Sequence, residues 1–355
     1  MKKNLNTYLS ENFKTFLNFS SKILILFFIA GLIFTSCNSS TKRNENKIET
    51  ELTEIEILNN KINSNPDNAE YYNDRALYFV YIKKDNDALN DIKKAIQLDE
   101  TNADYYITLS NIYLYQGKVT NCLDAINKAL ELDTDKAKIY LKLAEVNLIL
   151  KEYQKTHENI EKSLEFEPIN PVAFFVSGYS FLEEGDTNLA IRNFQEAVSQ
   201  DQDYLDAFYY LGLIFSAKND KLAVEYLNNA LRIEPDNVEV LYILGLFFQE
   251  NEDSEKAIEI YDRILKIDEN NKFANYNKAY IKLVYLEKFE DAINDFSKAI
   301  ESDPTYSDAY YNRAYCYELL NDFENSTKDY QKTLSLTPNY EKAIKALNRI
   351  DKKIK

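Results

Sequence analysis

A 34-residue period runs through most of this chain and constrains its fold more than any single motif. Aligning the blocks that begin at Ala69, Ala103, Ala137, Pro171, Leu205, Val238, Lys272 and Ser307 brings three columns of small residues into register. The eighth position holds Ala76, Ser110, Ala144, Gly178, Gly212, Gly245, Ala279 and Ala314, and the twentieth holds Ala88, Cys122, Thr156, Ala190, Ala223, Ala257, Ala292 and Ser326. The twenty-seventh reads Ala95, Ala129, Ser163, Ala197, Ala230, Ile264, Ala299 and Thr333, with Ile264 the one large member. Large residues recur between them, as at the fourth position in Tyr72, Tyr106, Tyr140, Phe174, Phe208 and Tyr310. Small side chains at such spacing let two antiparallel helices approach closely, while large ones fill the space between successive hairpins. Six Gly and six Pro in 355 residues are too few for a loop-rich or many-stranded fold. Pro66, Pro168, Pro235, Pro304 and Pro338 all fall where one hairpin ends and the next begins, because proline cannot continue a helix. The fold expected is all-α.

The pattern resembles the tetratricopeptide repeat, most fully in the block from Ser307 to Tyr340, SDAYYNRAYCYELLNDFENSTKDYQKTLSLTPNY. The resemblance covers residues 69–340 as eight repeats, and it implies a right-handed α-solenoid of antiparallel helical hairpins. The fifth repeat is one residue short around Lys218 to Lys221, and the seventh is one long around Val284 to Lys288. Both changes fall in the turn between paired helices, where length is tolerated. Residues 48–68 read as the second helix of an incomplete repeat and residues 341–355 as a capping helix with a polar outer face, which a solenoid end needs.

Residues 1–36 do not follow the period. Lys2, Lys3, Lys14 and Lys22 precede the apolar run Ile23 to Phe34. Twelve apolar residues suit a secretory h-region of roughly 7 to 15 better than a membrane span, which needs about 20. Phe34-Thr35-Ser36-Cys37 resembles the lipobox of bacterial lipoproteins, which implies acylation of Cys37, with Phe34 departing from the usual aliphatic residue. Residues 37–47 are polar and read as a flexible tether. The expected location is the bacterial cell envelope, lipid-anchored. Asn38, in place of an inner-membrane retention Asp, favours the outer membrane facing the periplasm.

His157 is the chain's one histidine and has no Cys or second His near it in sequence, so a zinc site is not expected. Cys122 and Cys316 fall in packing positions six hairpins apart, too far to bridge. No phosphate-binding loop, nucleophile elbow or dinucleotide fingerprint occurs. No catalytic residue, metal or cofactor is expected. A net charge of -16 opposes nucleic acid as a partner.

What remains is surface. In the family, the fifth and ninth positions of each first helix point into a concave peptide-binding groove. Here the C-terminal set is Phe175, Tyr179, Tyr209, Leu213, Tyr242, Leu246, Tyr276, Tyr280, Tyr311 and Tyr315, an aromatic stripe. The N-terminal counterparts, Asn73, Leu77, Ile107, Asn111, Leu141 and Glu145, are mixed. Asn277 and Asn312 each follow a stripe tyrosine and are expected to hydrogen-bond a ligand backbone. The Lys and Asn set that clamps a C-terminal carboxylate in some relatives is absent. The expected function is an envelope scaffold or adaptor that binds partner polypeptides in this groove. The alternative is a purely structural assembly component without a peptide ligand.

Overall fold

The computed structural model describes residues 53–354; the expected signal segment, Cys37 and the expected tether lie outside them. Eighteen α-helices, and no strand, occur among the described residues. They form an all-α solenoid of helical hairpins, and two compact units divide at Asp201.

The first unit begins with α1 (Glu54–Ser64). Four hairpins follow: α2 (Ala69–Tyr81) with α3 (Asp85–Leu98), α4 (Ala103–Tyr115) with α5 (Val119–Leu132), α6 (Ala137–Ile149) with α7 (Tyr153–Phe166), and α8 (Pro171–Glu184) with α9 (Thr187–Gln200). The second unit contains α10 (Leu205–Ala217) with α11 (Leu222–Ile233), α12 (Val238–Glu250) with α13 (Ser254–Ile267), α14 (Lys272–Val284) with α15 (Phe289–Ser302), and α16 (Ser307–Leu319) with α17 (Phe323–Leu336). It ends in α18 (Glu341–Ile354), which packs on α17.

Every non-glycine residue in the three small columns is fully buried. The polar members satisfy themselves locally. Ser110 Oγ donates to the Ile107 carbonyl at 2.7 Å, Ser163 Oγ to that of Ala137 at 3.1 Å, and Ser326 Oγ to that of Ala314 at 2.9 Å. Each core spans a repeat boundary. Ala76, Ala88, Ile92 and Ala95 pack with Tyr105 and Ile112 of the next hairpin. At the C-terminal end Ala343, Ala346 and Ile350 of α18 complete the core of Ala314 and Tyr330, standing where a further first helix would. Burying side chains of this size contributes on the order of 1.5–3 kcal/mol each for the larger ones, so no hairpin is self-sufficient without its neighbour.

Local chemistry sets the helix ends. Asn102, Asn170, Asn237 and Asn271 cap first helices by accepting a backbone N–H at 3.0 to 3.1 Å. Asp186 caps α9 by accepting from both Asn188 and Leu189. In the first three hairpins a fourth-position tyrosine ties the helix back to the preceding junction. Tyr72, Tyr106 and Tyr140 donate through Oη to the carbonyls of Pro66, Glu100 and Thr134, always six residues upstream.

The turn within each hairpin carries one left-handed residue: Lys83, Gly117, Lys151, Gly185, Asn219, Glu252, Glu287 and Asn321. The following amide closes the turn on a carbonyl five residues back, as in Lys84 to Phe79 and Asp253 to Phe248. In the seventh repeat Lys288 reaches back six residues to Lys282, so the extra residue is absorbed in the turn and the helices keep their register. The shortened fifth repeat instead gives a 12-residue α11 where the other second helices have 14. Four of the left-handed positions bear Lys or Glu, which pay a Cβ penalty of about 1 kcal/mol that glycine avoids. Lys83→Gly and Glu252→Gly are each expected to raise stability by about 0.5 kcal/mol after the greater unfolded-state freedom of glycine is discounted, read as a higher urea midpoint. An unchanged or lower midpoint would show that these side chains stabilise the turn some other way.

In the first and last repeats a seventh-position arginine ties three helices together. Arg75 forks onto Asp91 at 2.6 and 2.8 Å and reaches Asn59 of α1 at 2.7 Å. Arg313 forks onto Asp329 at 2.7 and 2.9 Å and reaches Ser297 of α15 at 2.9 Å. In both cases one guanidinium joins three helices, with each carboxylate nearly buried.

Candidate functional site

In the second unit the first helices α10, α12, α14 and α16 place the fifth and ninth positions on one face. The two rows differ. The fifth-position rings are held in place by their neighbours. Tyr242 lies 6.4 Å from Tyr261 and 6.1 Å from Phe273; Tyr276 lies 5.6 Å from Phe296 and 4.9 Å from Tyr306; Tyr311 lies 5.5 Å from Tyr330 and 5.0 Å from Tyr340, centroid to centroid. Each is thus set between a ring of its own second helix and an aromatic residue at or just beyond the next junction. Such pairs contribute about 0.5–1.5 kcal/mol beyond the area they bury.

Asn277 and Asn312 belong to this framework. Asn277 Nδ2 donates to Tyr242 Oη at 3.2 Å, and Asn312 Nδ2 donates to Tyr276 Oη at 2.8 Å. Both asparagines are nearly buried, and each bond joins one first helix to that of the preceding hairpin. Their amide donors therefore face tyrosine oxygens within the chain. Tyr340, which covers Tyr311, donates to Asp308 Oδ1 at 2.6 Å.

The ninth-position row is more open. Leu246 and Tyr280 are half-buried and Tyr315 is 37% exposed, while Leu213 is buried. Near the start of α10, burial and the charge of Glu234 push the Asp206 carboxyl up to about 6. Tyr209 is half-buried, and burial, Glu239 and Asp206 raise its pKa.

The first unit arranges the same register differently. Phe175 and Tyr179 are 2% and 4% exposed, with Phe175 packed 5.4 Å from Phe194, and Ile107 and Leu141 are also buried. Leu77, Asn73 and Asn111 are half-buried. Glu145 is 5% exposed and forms an ion pair with Lys142, itself buried, one turn earlier in α6.

His157 Nε2 lies 2.7 Å from Glu184 Oε1, and Ser180 Oγ stands 3.5 Å from the same nitrogen. A Ser-His-acid relay needs the serine and the acid on opposite ring nitrogens, so this trio has no means of activating the hydroxyl. Its ring stacks on Phe181 at 4.2 Å. Both described thiols are buried and unpaired, and burial pushes the Cys122 and Cys316 pKa values up to about 11 and about 12, which keeps them as unreactive thiols. Among the described residues no three His, Cys, Asp or Glu side chains converge as a metal ligand set, and no helix is long and apolar enough to cross a membrane.

Residues that sequence reasoning missed include Phe273, Tyr306 and Tyr340, which close over the stripe from the junctions, and Lys142, the buried partner of Glu145. An aromatic residue at successive junctions is a visible signal for the first group. Glu145 stands at a groove position in the sequence, but the repeat pattern carries no signal that its Lys142 partner is buried with it.

A family model described as Tetratricopeptide repeat protein 21 N-terminal ARM repeat matches residues 150–350, and one described as Tetratricopeptide repeat matches residues 103–136. A DnaJ homolog subfamily C member 7 homolog from Dictyostelium discoideum is 27% identical over 173 residues, covering 48% of this chain and 28% of its own length. A UDP-N-acetylglucosamine--peptide N-acetylglucosaminyltransferase from Giardia intestinalis is 32% identical over 153 residues, 42% of this chain and 10% of that protein. The chain thus spans only a minor part of these curated relatives. The C-terminal part of a TPR repeat-containing protein from Cytophaga hutchinsonii superposes with a TM-score of 0.59 at 22% identity, over 67% of this chain and 98% of that one.

Proposed function

Because the chain belongs to the tetratricopeptide-repeat family, whose members mediate protein–protein interaction, we propose that it is a scaffold that holds partner polypeptides on the face of its first helices. The observation that carries this reading is the two-row face of the second unit. A fifth-position row of rings is fixed by tilted and edge-on ring packing and by the Asn277–Tyr242 and Asn312–Tyr276 bonds, and beside it a ninth-position row of Leu246, Tyr280 and Tyr315 stays partly open. Rigid aromatic surface costs little entropy when it binds, and tyrosine adds a polar tip for a peptide backbone. The role is non-catalytic in this reading, since the one Ser-His-acid trio lacks relay geometry.

The envelope location belongs to the same proposal. A Lys-bearing start, a short apolar run and the lipobox-like Cys37 support export and acylation, and several acyl chains at about 0.8 kcal/mol per buried methylene would hold the body at a membrane. The second reading, a structural component with no peptide ligand, draws on the burial of Phe175, Tyr179 and Leu213.

Crosslinked capture from source-cell membranes separates the two. The variant Leu246→Ser/Tyr280→Ser/Tyr315→Ser alters the open row and leaves the fifth-position tyrosines in place; Tyr280 also stacks on Tyr276 at 6.4 Å, so helical content is read alongside capture. Capture is expected to fall at least about tenfold, as for loss of a binding hot spot, with the helical circular dichroism unchanged. Equal capture by the variant and the parent would favour the structural reading.

A further inference from the structure

Resting on the groove reading, we propose that the first unit's share of the face selects a basic segment of the bound polypeptide, with a Lys or Arg side chain received at Glu145. Glu145 is a buried carboxylate with one oxygen on Lys142 and the other, Oε1, without any hydrogen-bond partner. Leaving such an oxygen buried and unmatched is costly, more so on a charged group.

At the ninth position Glu145 continues a row from Asn111, and Asn73 stands in the adjacent fifth-position row. Asn111, one repeat earlier at the same ninth position, and Asn73, at the fifth position of the first repeat, each have a buried side-chain oxygen without a partner. Asp74, beside Asn73, has its pKa raised by burial and by Glu70. An amide turns either end outward, but a carboxylate only accepts, so Glu145 sets the sign of the row as one that takes donors. Fifth- and sixth-position side chains of consecutive first helices meet in the second unit, where Asn277 reaches Tyr242, and the ninth position lies one turn further along the same helix face. First helices about 8–10 Å apart match three residues of extended chain at roughly 3.3 Å each, so one donor in three would meet the row. The -16 net charge adds a long-range field that favours a basic segment over an acidic one.

The test uses the full chain and a library of 12-residue peptides in which one central position is fixed as Lys, Arg, Glu or Leu and the rest are mixed. The parent is expected to enrich Lys and Arg at least fivefold over Glu and Leu, and Glu145→Gln to lose that preference. Lys142→Met/Glu145→Leu replaces the pair with apolar side chains, so the preference can still be read if the single variant folds poorly, and it is expected to be lost there too. Leu246→Ser/Tyr280→Ser/Tyr315→Ser is expected to weaken all peptides without changing the ratio. Peptide binding with no basic preference, or a preference that survives both Glu145 variants, overturns the inference and leaves the groove reading standing. No binding of any peptide overturns both.

Discussion

Truncating Glu318 to alanine is expected to lower the stability of the C-terminal unit by about 3 kcal/mol at pH 7, the first of two large effects. Glu318 lies in the last turn of α16, 5% exposed, and accepts both arms of the Arg349 fork at 2.7 Å. It also accepts Tyr330 Oη at 3.1 Å. Removing it strands the hydroxyl of a fully buried tyrosine and unties α18 from the hairpin it caps. Arg349 is nearly half exposed and can turn to water, so the loss falls toward the lower part of the 3–5 kcal/mol typical of a broken buried pair.

The pH dependence follows from the same contacts. The Arg349 bonds hold the Glu318 carboxyl below its ordinary value of 4.5. A carboxyl whose pKa is lowered by folding contributes its stability fully above the unfolded value, and that contribution is lost as pH falls through the folded value. The gap between parent and Glu318→Ala, measured by urea midpoint, is therefore expected to be flat from neutral pH down to about 5 and to narrow below 4.5. A gap that stays constant into strong acid would mean that the carboxylate charge contributes nothing.

Gly212→Leu is the second. A Cβ at Gly212 would lie 2.5 Å from Leu227 Cδ2 and 2.6 Å from its Cγ, and Leu227 is fully buried in the partner helix. A leucine here forces α10 and α11 apart, at about 3 kcal/mol or more, while alanine is expected to cost about 1. A Cβ at Gly178 or Gly245 would come within 2.8 Å of Phe194 or Tyr261, so each eighth-position glycine stands opposite a large residue at the twenty-fourth. If Gly212→Leu leaves the thermal midpoint unchanged, close helix approach does not set the hairpin geometry.

The small columns were legible because they recur at the same offsets in every 34-residue unit. Ala76, Ala88 and Ala95 recur often enough for the spacing alone to reveal antiparallel helices. The turns were only half legible. Gly117 and Gly185 mark their left-handed positions, but Lys83, Lys151, Glu252 and Glu287 take the same conformation with side chains that give no hint of it.

The face was legible as a stripe and not as a mechanism. Asn277 and Asn312 stood out in sequence, yet their donors bind tyrosines of the preceding hairpin, a contact 35 or 36 residues away that no single repeat displays. The fork of Arg349 on Glu318 escaped notice for the same reason, since it joins the cap to the repeat before it. Periodicity exposes what every repeat does alike. Interactions that only one boundary makes need coordinates.

Amide hydrogen exchange on the full chain, alone and with a captured polypeptide crosslinked to it, tests the central claim most directly. Slower exchange is expected along the first helices α10, α12, α14 and α16, with α11, α13, α15 and α17 unchanged. Protection confined to the second helices, or none at all, would contradict a partner held on the first-helix face.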